Sequence, residues 1–203
     1  MAEGRLIVLA SGSRTRREML AAAGVRFEIR PADVDEAAMR DALTADGAIV
    51  EPGDIAELLA RAKAEVVSRA DPEALVIGAD QVLALGDRLF EKPPDLEAAR
   101  RSLELLRGAT HQLHAAVVLA ERGEVTWTAS DAAHLTVRKF SPRFLTDYLE
   151  QAGERVCESV GAYQLEGLGV NLFERIEGDY FTILGMPLLP LLAELRARGV
   201  LVT

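Results

Sequence analysis

Strand-like and helix-like segments are interspersed along this chain, yet some neighbouring strands are separated by only two residues. Short apolar runs at residues 5–10 and 75–79 have the character of buried strands, and a helical pattern follows the first. Gly86-Asp87 and Arg122-Gly123 are two-residue turns of the kind that join antiparallel strands into hairpins. These hairpins exclude a purely parallel sheet. We therefore predict an α/β fold, a mixed, twisted sheet with helices on its faces and a central cleft.

Polar residues at segment ends predict where several elements begin. Ser13, Asp95 and Ser141 each precede a helical pattern and can accept a hydrogen bond from a free amide in its first turn. Asp54 and Glu57 have the spacing of a capping box and predict a helix start there. Further expectations are strands at about 170–176 and 180–184, a glycine-rich loop at 161–169 and a long acidic surface segment at 31–53.

Charge and cysteine content narrow the class of protein. The 203 residues include 23 Lys and Arg against 32 Asp and Glu, a net charge of −9, so no nucleic-acid partner is expected. The sequence contains no run of about 18 apolar residues, so no membrane-spanning helix is expected. The single cysteine, Cys157, cannot form an internal disulfide, which is typical of the cytoplasm. We expect one domain over residues 1–203, or the same domain divided into two lobes around a cleft.

Residues 11–17 (SGSRTRR) form a predicted strand-to-helix turn with three arginines. Amides at a helix N-terminus attract phosphate, and arginine adds bidentate, charge-assisted hydrogen bonds. The alternative is a capped helix with a solvated basic first turn. Since the helix dipole disfavours Arg at that end, three arginines there favour phosphate binding.

Further charged residues are ambiguous when each is taken alone. Asp80 follows the strand at 75–79, where a carboxylate is well placed for a metal or a water, but an Asp that begins a turn fits equally. Lys63 and Lys92 are each expected, without further context, to be solvated surface lysines. Glu36 lies in an acidic stretch that suits a divalent ion, although a solvated loop is the commoner explanation.

Six motifs occur in order along nearly the whole chain: SGSRTRR, VDE, ARAKA, GADQV, EKP and GAYQLEGLGVNLFERIEGDYFTILGMPL. Together they resemble the Maf-like family of nucleoside triphosphate pyrophosphatases. The resemblance implies a cytoplasmic house-cleaning enzyme that splits a nucleoside triphosphate into monophosphate and pyrophosphate and so prevents the incorporation of non-canonical nucleotides. It also implies a divalent cation (Mg²⁺ or Mn²⁺), a fold like that of the inosine triphosphatases and a homodimer.

Matched position by position, the resemblance assigns roles to individual residues. Asp80 corresponds to the family's catalytic proton acceptor, and Glu36 joins Asp80 near the metal. The substrate-binding positions, which would face the triphosphate, are Ser11, Arg16, Arg17, Lys63 and Lys92. Arg14 stands where proline is common in the family, and residues 158–160 (ESV) stand where Asp-Lys-Ala is often found.

Thr15, Gln81 and Glu166 correspond to the positions that read the base. Gln81 and Glu166 resemble the branch of the family that acts on 7-methyl-GTP rather than the dTTP/UTP branch. A glutamate can accept hydrogen bonds from N1–H and the 2-amino group of guanine, and Gln81 could donate its amide to O6. Two alternatives stay open at this point. One is a dTTP/UTP-preferring pyrophosphatase, and the other is a non-catalytic nucleotide sensor that regulates cell division.

Overall fold

The structure, a computed structural model, describes residues 5–44 and 50–201. Its helices are α1 (Arg14–Ala22), α2 (Glu36–Thr44), α3 (Pro52–Ala70), α4 (Leu96–Leu106), α5 (Pro142–Ala152), α6 (Tyr180–Ile183) and α7 (Leu188–Ala197). Its strands are β1 (Ile7–Leu9), β2 (Glu28–Ile29), β3 (Leu75–Leu85), β4 (Arg88–Phe90), β5 (Thr110–Glu121), β6 (Glu124–Val137) and β7 (Phe173–Glu177). Short 3₁₀ helices cover Gly153–Glu158 and Leu168–Leu172.

The strands form one mixed sheet in the order β2-β1-β3-β5-β6-β7, with β4 paired to part of β3. β1 is parallel to both β2 and β3, whereas β5, β6 and β7 continue the sheet in antiparallel pairs. The predicted turns join β3 to β4 and β5 to β6 as antiparallel neighbours. The predicted α/β fold with a mixed sheet is therefore confirmed.

Helices cover both faces of the sheet around β1 and β3. Ile7 and Leu9 pack with apolar residues of α1 and α7, while Val8 and Ala10 face α3 on the opposite side. Because successive side chains of a strand point to opposite faces, a strand buried on both faces is continuously apolar, as residues 7–10 are. A third part of the core lies around α4, α5 and the far end of β3.

One glycine sets how closely α3 lies on the sheet. A Cβ added to Gly78 of β3 would lie 2.3 Å from the carbonyl oxygen of Ala60 and 2.7 Å from the Cβ of Ala64. The absence of a side chain at Gly78 therefore permits backbone contact between α3 and β3. This contact carries Lys63 of α3 over Asp80, two residues further along the strand.

Several boundaries differ from those predicted. The expected strand at 180–184 is wrong: residues 180–183 form α6, because the Asp179 carboxylate accepts from the amides of Phe181 and Thr182 and starts a helical turn. The predicted capping box is also wrong. Helix α3 begins at Pro52, whose fixed φ suits a first helical position, so Asp54 lies inside the first turn without capping it.

Three predicted helix caps are confirmed, and two other expectations are modified. The caps of α1, α4 and α5 are Ser13, Asp95 and Ser141, and each accepts a hydrogen bond from the amide three residues further along the chain. The strand at 75–79 does not end before Asp80 but runs unbroken to Leu85. The acidic segment at 31–53 contains α2, and its residues 45–49 lie outside the described residues. Within the described ranges no helix is both long and apolar enough to cross a membrane.

Candidate active site

The cleft opens where β1 ends and β3 continues. β1 pairs with β3 as far as Leu9 and Ile77, and beyond this point the chain turns away into residues 10–13 and α1. The resulting cleft has a volume of about 830 Å³. Nine of the ten site residues predicted from the sequence line it: Ser11, Thr15, Arg16, Glu36, Lys63, Asp80, Gln81, Lys92 and Glu166.

Arg17 is the predicted site residue that does not line the cleft. It is exposed on α1, next to the buried Arg16. Residues 14–16 of α1 line the cleft, and a further rotation of about 100° along the helix turns Arg17 out of it. The structure therefore does not bring Arg17 together with the other predicted phosphate-binding residues.

Lys63 joins two carboxylates at the floor of the cleft. Its Nζ contacts Oδ1 of Asp80 and lies 2.7 Å from Oε1 of Glu36. Lys63 and Asp80 are both buried, at 8% and 4% exposure, so Lys63 is not a solvated surface lysine, and Asp80 lies within β3 rather than beginning a turn. The other oxygen of Asp80, Oδ2, is buried and has no hydrogen-bond partner among the described residues.

Arg16 is fixed in the wall of the cleft by backbone carbonyls. Its Nε donates to the carbonyl of Gly185 at 2.9 Å, and its Nη1 donates to the carbonyl of Ala79 at 2.8 Å and to Oγ of Ser11 at 3.2 Å. Burial lowers the pKa of Arg16, while the charges of Asp80 and Glu36 act in the opposite direction. Nη2 makes no hydrogen bond within the described part of the chain.

The charges in the cleft influence one another. Burial opposes the ionisation of Glu36, but the hydrogen bond and charge of Lys63, with Arg40 and Lys92, outweigh it and lower the pKa of Glu36 overall. Partial desolvation lowers the pKa of Lys92, and the positive charge of Arg16 lowers it further. A cleft in which cations already repel one another is suited to receive a polyanion.

Arg40 is a residue of this network that sequence reasoning missed. Its Nη2 lies 3.2 Å from Oε2 of Glu36, and its Nη1 lies 3.4 Å from Oε1 of Glu91. The available signal was the spacing of Glu36 and Arg40, four residues apart on one helix face, which brings opposite charges together.

Of the three predicted base-reading residues, all of which line the cleft, Thr15 and Glu166 are in contact, whereas Gln81 lies beside Arg16 at Gly185. Oγ1 of Thr15 donates to Oε1 of Glu166 at 3.5 Å, across 151 residues of sequence. The amide nitrogen of Gln81 donates to the carbonyls of Thr182 and Ile183, at 2.9 and 3.0 Å. Both amide protons of Gln81 are thus engaged, which contradicts the predicted donation to O6 of a purine; only Oε1 is left, as an acceptor.

Arg14 and Glu158, where the sequence departs from the family pattern, lie near each other beside Thr15. Nε of Arg14 lies 3.7 Å from Oε2 of Glu158 and 3.9 Å from Oε1 of Glu18, both beyond hydrogen-bond distance. This Nε is buried and has no hydrogen-bond partner among the described residues. Arg14 therefore brings a cation to the wall where residues 158–160 supply none.

The loop that carries Glu158 and Glu166 is anchored in the core by Tyr163. The Tyr163 hydroxyl and Nε2 of His111 are 2.7 Å apart, and both residues are buried. Burial lowers the pKa of His111 to about 4, and its Nδ1 has no partner within residues 5–44 and 50–201. His111 is therefore neutral at pH 7 and serves as a polar anchor in an otherwise apolar region.

The acidic residues of the cleft suit a divalent cation that prefers oxygen. The carboxylates of Asp80 and Glu36 are hard oxygen donors of the kind that Mg²⁺ and Mn²⁺ bind. Among the described residues no group of three or more His, Cys, Asp or Glu side chains is placed to hold a metal. The protein thus offers two carboxylates, which fits an ion that keeps several waters or substrate oxygens as ligands.

Comparison with known proteins places the chain in a family. The model of the Maf-like protein family matches residues 6–198, and the chain belongs to this family. The 7-methyl-GTP pyrophosphatase of Mesorhizobium japonicum is 53% identical over 193 residues, which cover 95% of this chain and 96% of that protein. The nucleoside triphosphate pyrophosphatase of Paramagnetospirillum magneticum is 51% identical over 195 residues, 96% of this chain and 100% of the other.

A solved structure is also similar, but only in part. The Ham1 protein of Staphylococcus aureus matches with a TM-score of 0.41 and 17% identity, over 66% of this chain and 72% of that one. The fold class assigned above follows from the order and pairing of the strands.

Proposed function

We propose that this protein is a nucleoside triphosphate pyrophosphatase whose preferred substrate is 7-methyl-GTP. The observation that carries the proposal is the buried Asp80, held by Lys63 at one oxygen and unpartnered at the other, in a cleft lined by Arg16 and Lys92. The names of relatives about half identical over nearly their whole length support it: several are 7-methyl-GTP pyrophosphatases and others nucleoside triphosphate pyrophosphatases.

The proposed reaction is attack by water on the α-phosphorus. A bond forms between the water oxygen and the α-phosphorus, the bond to the bridging oxygen of the β-phosphate breaks, and pyrophosphate leaves. Oδ2 of Asp80 accepts the proton of the water, since Lys63 occupies Oδ1. Arg16, through Nη2, and Lys92 bind the phosphates. Ser11 orients Arg16 through its hydroxyl.

The proposed cofactor is Mg²⁺ or Mn²⁺, held by Asp80 and Glu36. When bound, such an ion screens the charge of the triphosphate and polarises a phosphate oxygen. In the free protein the single positive charge of Lys63 is shared between the two carboxylates, which leaves one negative charge for a cation to balance. Arg40 keeps Glu36 at the cleft through its second oxygen.

The proposed preference for 7-methyl-GTP depends on the end of the cleft near Thr15. Glu166 can accept from N1–H and the 2-amino group of guanine, whereas uracil and thymine offer one donor on that edge. Methylation of N7 makes the base cationic, and both Glu158 and Glu166 line the cleft at this end. A site rejects the wrong base strongly when that base would leave polar groups of the site without hydrogen-bond partners.

A panel of nucleotides tests the proposal. Purified protein is supplied with Mg²⁺ and with 7-methyl-GTP, GTP, UTP or dTTP, and each product is identified as monophosphate or diphosphate. We expect monophosphate and pyrophosphate, with 7-methyl-GTP turned over fastest. Binding without turnover would instead support the nucleotide sensor, and faster hydrolysis of UTP or dTTP would support the other branch of the family.

We also infer from the family resemblance that the protein is a cytoplasmic homodimer. Light scattering on the purified protein measures its mass in solution, and fractionation of the source cells locates it. A monomeric mass would contradict the homodimer without bearing on the reaction.

A further inference from the structure

Two residues with different proposed tasks are held by the same short segment of backbone. Arg16, from the phosphate-binding turn, donates Nε to the carbonyl of Gly185 at 2.9 Å. Gln81, from the base-reading set, donates its amide to the carbonyls of Thr182 and Ile183. All three carbonyls belong to residues 180–185, which we call the α6 turn.

Gly185 brings the backbone of the α6 turn between the two side chains. Its φ of +104° lies in the region that favours glycine. A Cβ added there would lie 3.4 Å from both Nε and Nη2 of Arg16 and 3.5 Å from Oε1 of Gln81. A displacement of the α6 turn would therefore move the supports of both side chains at once.

The α6 turn needs fixing from outside, because a helix of four residues has almost no stability of its own. Asp179 caps its N-terminus, and Ile183 packs into the core. Besides the hydrogen bonds from Arg16 and Gln81, the hydroxyl of Thr182, which is fully buried, donates to Oδ2 of Asp131 at 2.8 Å. Asp131 belongs to β6, so this hydrogen bond ties the α6 turn to the sheet.

We propose that Thr182 is a positioning residue whose hydrogen bond to Asp131 aims Arg16 and Gln81 together. The inference rests on the proposed function, since it supposes that Arg16 binds phosphate and Gln81 faces the base. It assigns a role to two residues that touch neither the phosphates nor the base. A single hydrogen bond outside the cleft lining thus governs phosphate affinity and base selectivity jointly.

Substitution of Thr182 tests this claim. Thr182→Val keeps the shape of the side chain and removes the donor, while Thr182→Ser keeps the donor and is the matched control. Two constants are measured. One is the dissociation constant of tripolyphosphate, which has no base, and the other is the ratio of the dissociation constants of the α,β-methylene analogues of UTP and GTP. We expect Thr182→Val to weaken tripolyphosphate binding and to reduce the ratio, each by about tenfold, the effect of one hydrogen bond to a charged group.

Thr182→Ser is expected to restore both constants to near those of the wild type. A purely structural role would instead lower the midpoint of thermal unfolding and leave both constants of the folded protein unchanged, and that result would overturn the inference. A change in one constant without the other would overturn the joint role. If Thr182→Val does not fold, Asp131→Ala removes the same bond from the exposed side and is judged by the same two constants.

These measurements separate the inference from the proposed function. Non-hydrolysable analogues report binding even if no nucleotide is turned over. Absence of turnover with tight binding would overturn the pyrophosphatase and leave the positioning role to be decided by the two constants. Normal turnover with constants unaffected by Thr182→Val would overturn the positioning role alone.

Discussion

The two ends of the cleft are built differently. At the cationic end, defined by Arg16, Lys63 and Asp80, the side chains are buried and each is held by at least one short hydrogen bond or ion pair. At the Thr15 end, Thr15 and Glu166 are joined by one long hydrogen bond of 3.5 Å, and Glu166 is exposed.

Under the proposed function, this difference separates the reaction at phosphorus from the choice of base. Groups fixed before the substrate arrives need little rearrangement during the reaction, and this benefits the step at phosphorus. A weak, exposed contact can be altered at low cost to the fold.

The largest expected effect is at the cationic end. Asp80→Asn keeps the size of the side chain and removes its ability to accept a proton from water. We expect kcat with Mg²⁺ to fall by at least about 100-fold, the lower range for loss of a general base. Asp87→Asn, at the exposed turn after the same strand, is the control and should leave kcat unchanged. Near wild-type hydrolysis by Asp80→Asn would remove Asp80 from the mechanism.

The anchor of the Thr15 end should be sensitive to acid. The pKa of His111 is about 4 in the folded protein and about 6.5 in an unfolded chain, so the unfolded state binds the proton first. The contribution of neutral His111 to the free energy of unfolding is therefore fully present above pH 6.5. It decreases by up to about 3 kcal/mol as the pH falls from 6.5 through 4. Urea unfolding over pH 4–7 measures this loss.

A matched variant isolates the contribution of His111. His111→Gln retains an amide that can bond to Tyr163 but has no group that titrates in this range. We expect its free energy of unfolding to fall less steeply with decreasing pH than that of the wild type. Parallel slopes would mean that other groups account for the acid sensitivity.

The contact between α3 and β3 links the cationic end to the core. A methyl group added at Gly78 would overlap the backbone of Ala60, so Gly78→Ala must push α3 away from the sheet. We expect a loss of about 1–3 kcal/mol in the free energy of unfolding and a lower kcat, because Lys63 moves from Asp80. In Gly53→Ala, the control, the added methyl would lie 3.5 Å from His114, an ordinary contact. Equal stability of the two variants would contradict this account.

The smallest effect is expected at the Thr15 end. Glu166→Gln keeps the shape of the side chain but removes its charge and one of its two acceptors. We expect the preference for 7-methyl-GTP over UTP, measured as the ratio of kcat/KM values, to fall by about tenfold at most. The affinity for tripolyphosphate should stay constant. A loss of that affinity would show that the two ends are not independent.

Patterns within a few residues were sufficient to predict much of the fold. Hydrogen bonds and dihedral angles of neighbouring residues determine the helix caps at Ser13, Asp95 and Ser141 and the turn at Gly86-Asp87. They are therefore visible in the local sequence. The same holds for β1, whose continuous apolar run reflects burial on both faces.

The roles of single charged residues were not visible in this way. Lys63, taken alone, had the pattern of a surface lysine, and it is buried because Gly78 lets α3 approach the strand that carries Asp80. Arg17 shares a motif with Arg16 but is turned away from the cleft by the helix. In both cases the outcome depends on which face of an element meets which neighbour.

The sequence by itself determined the alternation of elements, the mixed character of the sheet and, through six motifs in order, the family. Only the tertiary structure decided that Gln81 is engaged by α6 and that Thr15 meets Glu166. The physical reason is the separation along the sequence over which each kind of interaction acts. Caps, turns and periodicity act over three or four residues, whereas these contacts join residues 101 or 151 positions apart, which only packing brings together.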